Sequence, residues 1–308
     1  MERRETSYPM PLVFRLLILL LSSLCMCSSA NAQDQKPEIF WLKIDWQPAW
    51  INSGPQQGQG HAQVLTRMLQ ERLPQYKHRD QLTNAVRIYK TLKNRESCFP
   101  LSTYQGAELN AEKRLGLIWS APTFIFLYHG LIARPEAIKR IKQYEHNGAV
   151  DFTRLIADTS IIGAYQPGRS YSRYLNKILT DDPNAKNLFP WAGATKMTQG
   201  MFNMLDAKRL DYFIDYFLTL KYHELSSTHA DNHHFFPLLE HKNRYGFGAV
   251  ACNDTPQGRK LITEINIALE EIRRNPDYIA THLRWHAPNG QKLHYKRLWA
   301  DELLTRIK

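Results

Sequence analysis

The chain has 308 residues, 40 Lys and Arg against 29 Asp and Glu, and a formal charge of +11 at pH 7. Its basic side chains are scattered and no nucleic-acid-binding motif accompanies them, which argues against a nucleic-acid partner. The excess charge reads as a solvated basic surface, or as one that meets anionic ligands or lipid.

The first 32 residues read as a secretory signal peptide. Arg15 precedes the apolar run Leu16 to Leu21, small residues follow, and Ala30-Asn31-Ala32 matches a small-x-small cleavage site. Gln33 would then begin the mature chain, and Met10 would serve equally well as the start. A lipoprotein fits less well, because bulky Met26 precedes Cys27 where a small residue is needed. The expected location is therefore the periplasm. What remains is long enough for one large or two small cores. Cleavage leaves Cys98 and Cys252 of the 4 cysteines. An even count in an oxidising compartment suggests one disulfide, with two separate buried thiols as the alternative. A bridge across 154 residues would contribute roughly 4–5 kcal/mol on chain-entropy reasoning.

A first strand is expected over Ile39 to Trp46, then a turn-rich segment to Gly60. A helix from His61 to Leu73 places Val64, Leu65, Met68 and Leu69 on one face, and Pro74 stops it. A short strand over Tyr76 to Arg79 and a helix over Thr83 to Lys93 follow. Leu115 to Ala133 lacks Lys, Arg, Asp and Glu and imitates a membrane span. Its Pro122, His129 and Gly130, with its β-branched and aromatic residues, instead predict two core strands. Ile138 to Asn147 reads as a polar helix, and Asp151 to Ile156 as a junction between lobes. Next come a strand over Ser160 to Tyr165, the loop Gln166-Pro-Gly-Arg169 and a helix from Ser170. Thr195 to Leu205 reads as a helix, Lys208 to Tyr216 as a loop entering a strand, and His223 to His241 as a polar, His-rich loop. A strand over Tyr245 to Cys252, a long helix over Pro256 to Arg274 and a last helix over Tyr295 to Ile307 complete the chain. Strand alternating with helix is the rhythm of a parallel or mixed sheet covered by helices.

Four segments occur in a telling order: Ile44-Asp-Trp-Gln-Pro-Ala-Trp-Ile51 with Gly58-Gln-Gly60; Ala111-Glu-Lys-Arg114 with Ile118-Trp-Ser-Ala-Pro122; Ile162-Gly-Ala-Tyr-Gln-Pro-Gly-Arg-Ser170; and Met204-Leu-Asp-Ala-Lys-Arg-Leu-Asp211. In these the chain resembles the family 3 extracellular solute-binding proteins, over nearly its whole mature length. The likeness is nearest to a branch that carries a Cys near position 98 and another near position 252. The resemblance implies the type II periplasmic binding protein fold, an α/β architecture of mixed sheets covered by helices. Lobe one would comprise residues 33–128 and the return segment 246–308, and lobe two residues 129–245. Two crossover strands would join them as a hinge, with ligand bound between.

In amino-acid-binding members an Arg holds the ligand carboxylate; the matching position here is Lys113, a point charge without the bidentate fork. Their ammonium-binding acid is replaced by Tyr216, with Asp215 one residue earlier and expected to face away. Both departures argue against a simple α-amino acid. Trp46 and Trp50 flank the turn where relatives stack an aromatic on ligand. Tyr165 ends a strand at a switch point of the sheet. Arg169 and Ser170 open a helix whose free amides suit an anion. The expected ligand is therefore small, polar, and anionic or aromatic.

His223, His229, His233, His234 and His241 lack the spacing of a metal motif, and no metal or cofactor is expected. No catalytic motif is recognised. The resulting expectation is a monomeric periplasmic solute-binding protein that is not an enzyme and serves an ABC permease or a membrane sensor. The alternatives are a periplasmic enzyme on the same scaffold, like cyclohexadienyl dehydratase, and a basic surface-interaction protein with a vestigial cleft.

Overall fold

The computed structural model describes residues 36–84, 87–94, 96–104, 116–167, 169, 171–181, 185–191, 197–227, 233–241, 245–288 and 290–306. The signal segment, Lys113, Ser170 and His229 lie outside the described residues. Residues 38–308 form one compact unit.

Strand β1 (Glu38–Ile44) buries Ile39, Trp41 and Leu42. The loop after it turns at Gly54 and Gly58, both at positive φ (87° and 77°), a region that glycine enters without penalty. Helix α1 (His61–Arg72) buries Val64, Leu65, Met68 and Leu69 on one face, as the 3.6-residue period requires. β2 (Lys77–Thr83), α2 (Ile88–Asn94), β3 (Ser97–Thr103), β4 (Leu117–Trp119) and β5 (Phe124–Leu127) complete the first pass through lobe one.

The chain then crosses to β6 (Gly130–Ala133) and α3 (Ile138–Ile141). A hairpin of β7 (Glu145–His146) and β8 (Ala149–Val150) follows, and then α4 (Phe152–Ile156). The Asp151 side chain caps α4 by accepting from the Arg154 amide. β9 (Gly163–Tyr165), α5 (Arg173–Asp181), β10 (Leu188–Pro190), α6 (Met197–Asp206), β11 (Tyr212–Asp215), α7 (Phe217–Ser226) and β12 (His234–Pro237) build lobe two. The nine-residue β13 (Tyr245–Asn253) returns to lobe one. There α8 (Pro256–Ile272), α9 (Pro276–His286) and α10 (Lys292–Leu298) end in a π-type turn, Trp299–Leu303. Thr255 caps α8 and Asn275 caps α9 through side-chain oxygens, and a proline opens each helix.

Two mixed sheets result. The lobe-one sheet runs β2-β1-β3-β13-β4, and β5 also pairs with β13. β1 is parallel to β2 and β3, while β13 is antiparallel to β3, β4 and β5. In this register Cys98 of β3 faces Cys252 of β13, and the two form a disulfide. The lobe-two sheet runs β10-β9-β11-β6-β12. β9, β10 and β11 are parallel, and β6 is antiparallel to β11 and β12. Each sheet carries apolar cores of its own. The connections β5–β6 and β12–β13 join the lobes, and there Tyr128 stacks on His241 with ring centres 4.9 Å apart.

Several expected elements are corrected. β2 runs on to Thr83, because it pairs with β1 along its full length, so α2 starts only at Ile88. The polar segment after Ile138 leaves the helix at Ile141 and folds into a hairpin, turned by Asn147 and Gly148 at φ 50° and 74°. The apolar stretch from 115 to 133 holds three short strands rather than two. Among the described residues no helix is long and apolar enough to cross a membrane. The last helix is broken by the π-type turn at Trp299, whose Nε1 donates to the Arg273 carbonyl. Among the described histidines of the His-rich segment, His223 lies in α7, His223, His233 and His241 are buried rather than solvated, and His234 is exposed. His223 stacks on Phe202 at 3.6 Å between ring centres.

Candidate functional site

The described cleft residues come from the carboxyl ends of parallel strands, where open α/β sheets leave room for ligands. Trp46 follows β1 in lobe one. Asp215 ends β11 in lobe two, Tyr216 follows it, and Arg169 lies in the loop after β9. These four side chains meet. The Trp46 and Tyr216 rings lie 5.8 Å apart, and the Arg169 guanidinium sits over both, 5.1 Å from Trp46 and 5.5 Å from Tyr216. A guanidinium over two ring faces is a favourable cation–π arrangement.

Arg169 also pairs with Asp215, Nη1 to Oδ2 at 2.8 Å, and donates to Gln166 Oε1 at 2.8 Å. The Asp215 side chain is fully buried. Its Oδ1 accepts from the Tyr216 amide at 2.7 Å and from the Thr219 hydroxyl at 3.0 Å. Burial disfavours the Arg169 charge, but Asp215 together with Tyr171 and Tyr216 raises its pKa overall. Two expectations therefore change. Asp215 does not face away, because the short loop after β9 brings a cation to it. Arg169 is not a free cation waiting at a helix end, because Asp215 already neutralises it.

His129, on the first crossover, completes the floor. Its ring lies 3.7 Å from Tyr216 and 4.7 Å from Tyr171. Burial, with Arg169 and His241 nearby, drives its pKa well below the ordinary value and keeps it neutral. Burial pushes the Tyr216 hydroxyl up and the Tyr171 hydroxyl up to about 12. Tyr171 accepts from the Gln166 amide at 2.8 Å, which ties the Arg169 loop to this floor. His129 and Tyr171 escaped sequence reading. A His between two strands carries no spacing signal, and its neighbours come from distant segments.

The remaining expected residues separate. Trp50 is no cleft residue: it is 3 % exposed and stacks on Phe99 in the lobe-one core. Tyr165 ends β9 and packs on the lobe-two core. A second contact between lobes is apolar, with Leu218 of α7 packing against Ile51 and Trp285. A cavity of about 440 Å³ lies apart from the Trp46–Arg169 cluster, between α1 and α9, with Arg67, Asp277 and Arg284 in its lining.

No protein-family model and no curated protein matches the sequence. Solved structures do match. A histidine kinase sensor domain with similarity to periplasmic binding proteins is 15% identical, covers 82% of this chain and 96% of its own, and has a TM-score of 0.58. An ancestral amino acid-binding protein, a precursor of cyclohexadienyl dehydratase, is 12% identical over 87% of this chain and 99% of its own, TM-score 0.58. A Salmonella typhimurium periplasmic binding protein with high arginine specificity is 14% identical over 82% of this chain and 100% of its own, TM-score 0.56. At these identities the likeness is one of fold: the chain has the two-lobed type II periplasmic binding protein fold.

Proposed function

We propose that this chain is an exported solute-binding protein that captures a small polar solute between its lobes, for an ABC permease or a membrane sensor. The observation that carries the reading is the contact of Trp46, from lobe one, with Arg169 and Tyr216, from lobe two. A solute that parts these rings meets an aromatic face on one side and a guanidinium with a second ring on the other. Structural relatives that bind amino acids, and one that is a histidine kinase sensor domain, support the same general role. Residues 33–128 with 246–308, and residues 129–245, are the two bodies that close.

The ligand class follows from the charges. Asp215 already balances Arg169, so an anionic group gains only by sharing that guanidinium, while the rings offer stacking to any planar group. A planar, aromatic solute bearing a carboxylate uses both. Lys113 and Ser170 are proposed as further anion contacts.

A thermal-shift screen tests this. Aromatic carboxylates should raise the melting temperature more than aliphatic amino acids do, and Trp46→Ala should remove the effect. A specific shift with an aliphatic or cationic amino acid, unchanged in Trp46→Ala, would overturn the ligand class.

A further inference from the structure

Away from the cleft, an unexplained group of side chains lies inside lobe one. His61 opens α1, and His282 and His286 stand one turn apart on α9, hence on one face. Their exposures are 1%, 0% and 2%. Ring centres are 5.7 Å apart for His61 and His282, 4.6 Å for His61 and His286, and 5.1 Å for His282 and His286. One nitrogen from each ring lies within 4.8 Å of the other two. Both ring nitrogens of His61, both of His282 and Nε2 of His286 have no hydrogen-bond partner. Dry, unpaired polar atoms are unfavourable, and five in one place call for a group that satisfies them.

The chemistry of the cluster limits that group. Phe124 and Tyr278 pack against its rings, and Trp299 lies beside His282. The cluster holds no carboxylate and no thiolate. Oxygen-seeking Mg²⁺ and Ca²⁺ are poorly matched to it. Neutral imidazole suits zinc and its late first-row neighbours, and two histidines four apart on a helix present nitrogens to one ion.

We propose that His61, His282 and His286 form a buried structural site for Zn²⁺ or a similar late first-row transition ion, fastening α9 to the start of α1. Ligand nitrogens about 2.0–2.1 Å from a tetrahedral zinc lie about 3.4 Å from one another, and the three nitrogens here already lie within 4.8 Å, so loading needs only a small inward shift of the rings. The site also bears on the lobes, because Trp285, between the two α9 ligands, packs against Leu218 of lobe two.

The test uses the purified, chelator-treated protein with metal alone. Zn²⁺ should bind at one equivalent per chain and raise the melting temperature by about 5 °C at hundredfold excess over its dissociation constant. Co²⁺ should give the visible spectrum of a tetrahedral site. His61→Phe and His282→Phe keep an aromatic ring in the core and should lose the Co²⁺ spectrum and the Zn²⁺ shift. X-ray absorption of the Zn²⁺-loaded wild-type protein should show three imidazoles, a readout that needs no variant. Failure to bind a stoichiometric ion, fewer than two imidazoles on it, or unchanged binding in both variants would overturn the site.

Discussion

The guanidinium of Arg169 is held 2.8 Å from the carboxylate of Asp215, at the place where the two lobes touch. The pair sets the character of the cleft. It leaves no uncompensated charge on either side chain, and the guanidinium packs over the neighbouring rings of Trp46 and Tyr216.

The pair also predicts a stability effect. Arg169→Ala leaves a fully buried Asp215 carboxylate without its cation. Breaking a buried pair from one side costs about 3–5 kcal/mol, whereas replacing both partners costs less. Urea unfolding should therefore rank the proteins in the order wild type, Arg169→Met with Asp215→Asn, then Arg169→Ala. Equal midpoints for wild type and Arg169→Ala would show that the pair contributes nothing.

The disulfide offers a second test. Cys98 and Cys252 stand opposite each other on β3 and β13 and close a separation of 154 residues. Chain-entropy reasoning gives such a loop about 5 kcal/mol. Adding a reductant should lower the urea midpoint of the wild-type protein and leave Cys98→Ala with Cys252→Ala unmoved. If reductant leaves the wild-type midpoint where it was, the bridge is not stabilising.

Acid should loosen the hinge. Burial holds His129 well below its ordinary pKa, and burial pulls His241 down to about 4 against the opposing effect of a hydrogen bond that its ring donates to the His129 backbone. In the unfolded chain both titrate near about 6.5. Between that value and about 4 the unfolded state binds protons that the folded state refuses, so stability falls as the pH falls. Each such histidine contributes a slope of about 1.4 kcal/mol per pH unit in this window. His241→Phe preserves an aromatic ring against Tyr128 and removes one titrating group. Its unfolding free energy should fall less steeply than that of wild type from about pH 6.5 to about pH 4.5. Parallel slopes for the two proteins would rule out His241 as a contributor.

The architecture was readable because its signals are local. Val64, Leu65, Met68 and Leu69 mark α1 by period, and the strand–loop–helix around Gln166 marks the opening of lobe two. The cysteine count left a disulfide and two separate thiols open, and the pairing of β3 with β13 brings Cys98 and Cys252 together in a disulfide. What could not be read depends on partners brought from far along the chain. Arg169 and Asp215 lie 46 positions apart in sequence, and only the parallel pairing of β9 with β11 brings them together. Trp46 and Trp50 share a residue type and a turn, yet one packs on Tyr216 of lobe two and the other on Phe99 of lobe one. The buried histidines look polar in the sequence, and only the fold reveals that aromatic neighbours such as Phe202 and Phe124 cover them.

The two lobes also meet at an apolar contact away from Arg169. Leu218 projects from α7 of lobe two and is almost wholly buried against Ile51 and Trp285 of lobe one. A Leu→Ala change in a single core costs about 2–5 kcal/mol because it leaves a cavity. At a junction between two bodies joined by a hinge, the lobes have a second option: they can part and let water fill the gap. Leu218→Ala should therefore increase the radius of gyration of the ligand-free protein in small-angle scattering, with a smaller loss of unfolding free energy than an equivalent change within one lobe, such as Leu69→Ala. An aromatic carboxylate that binds at Trp46 should restore the compact form. If Leu218→Ala keeps the wild-type radius and loses as much stability as Leu69→Ala, the two lobes behave as one fused core and hinge closure is not part of this protein's mechanism.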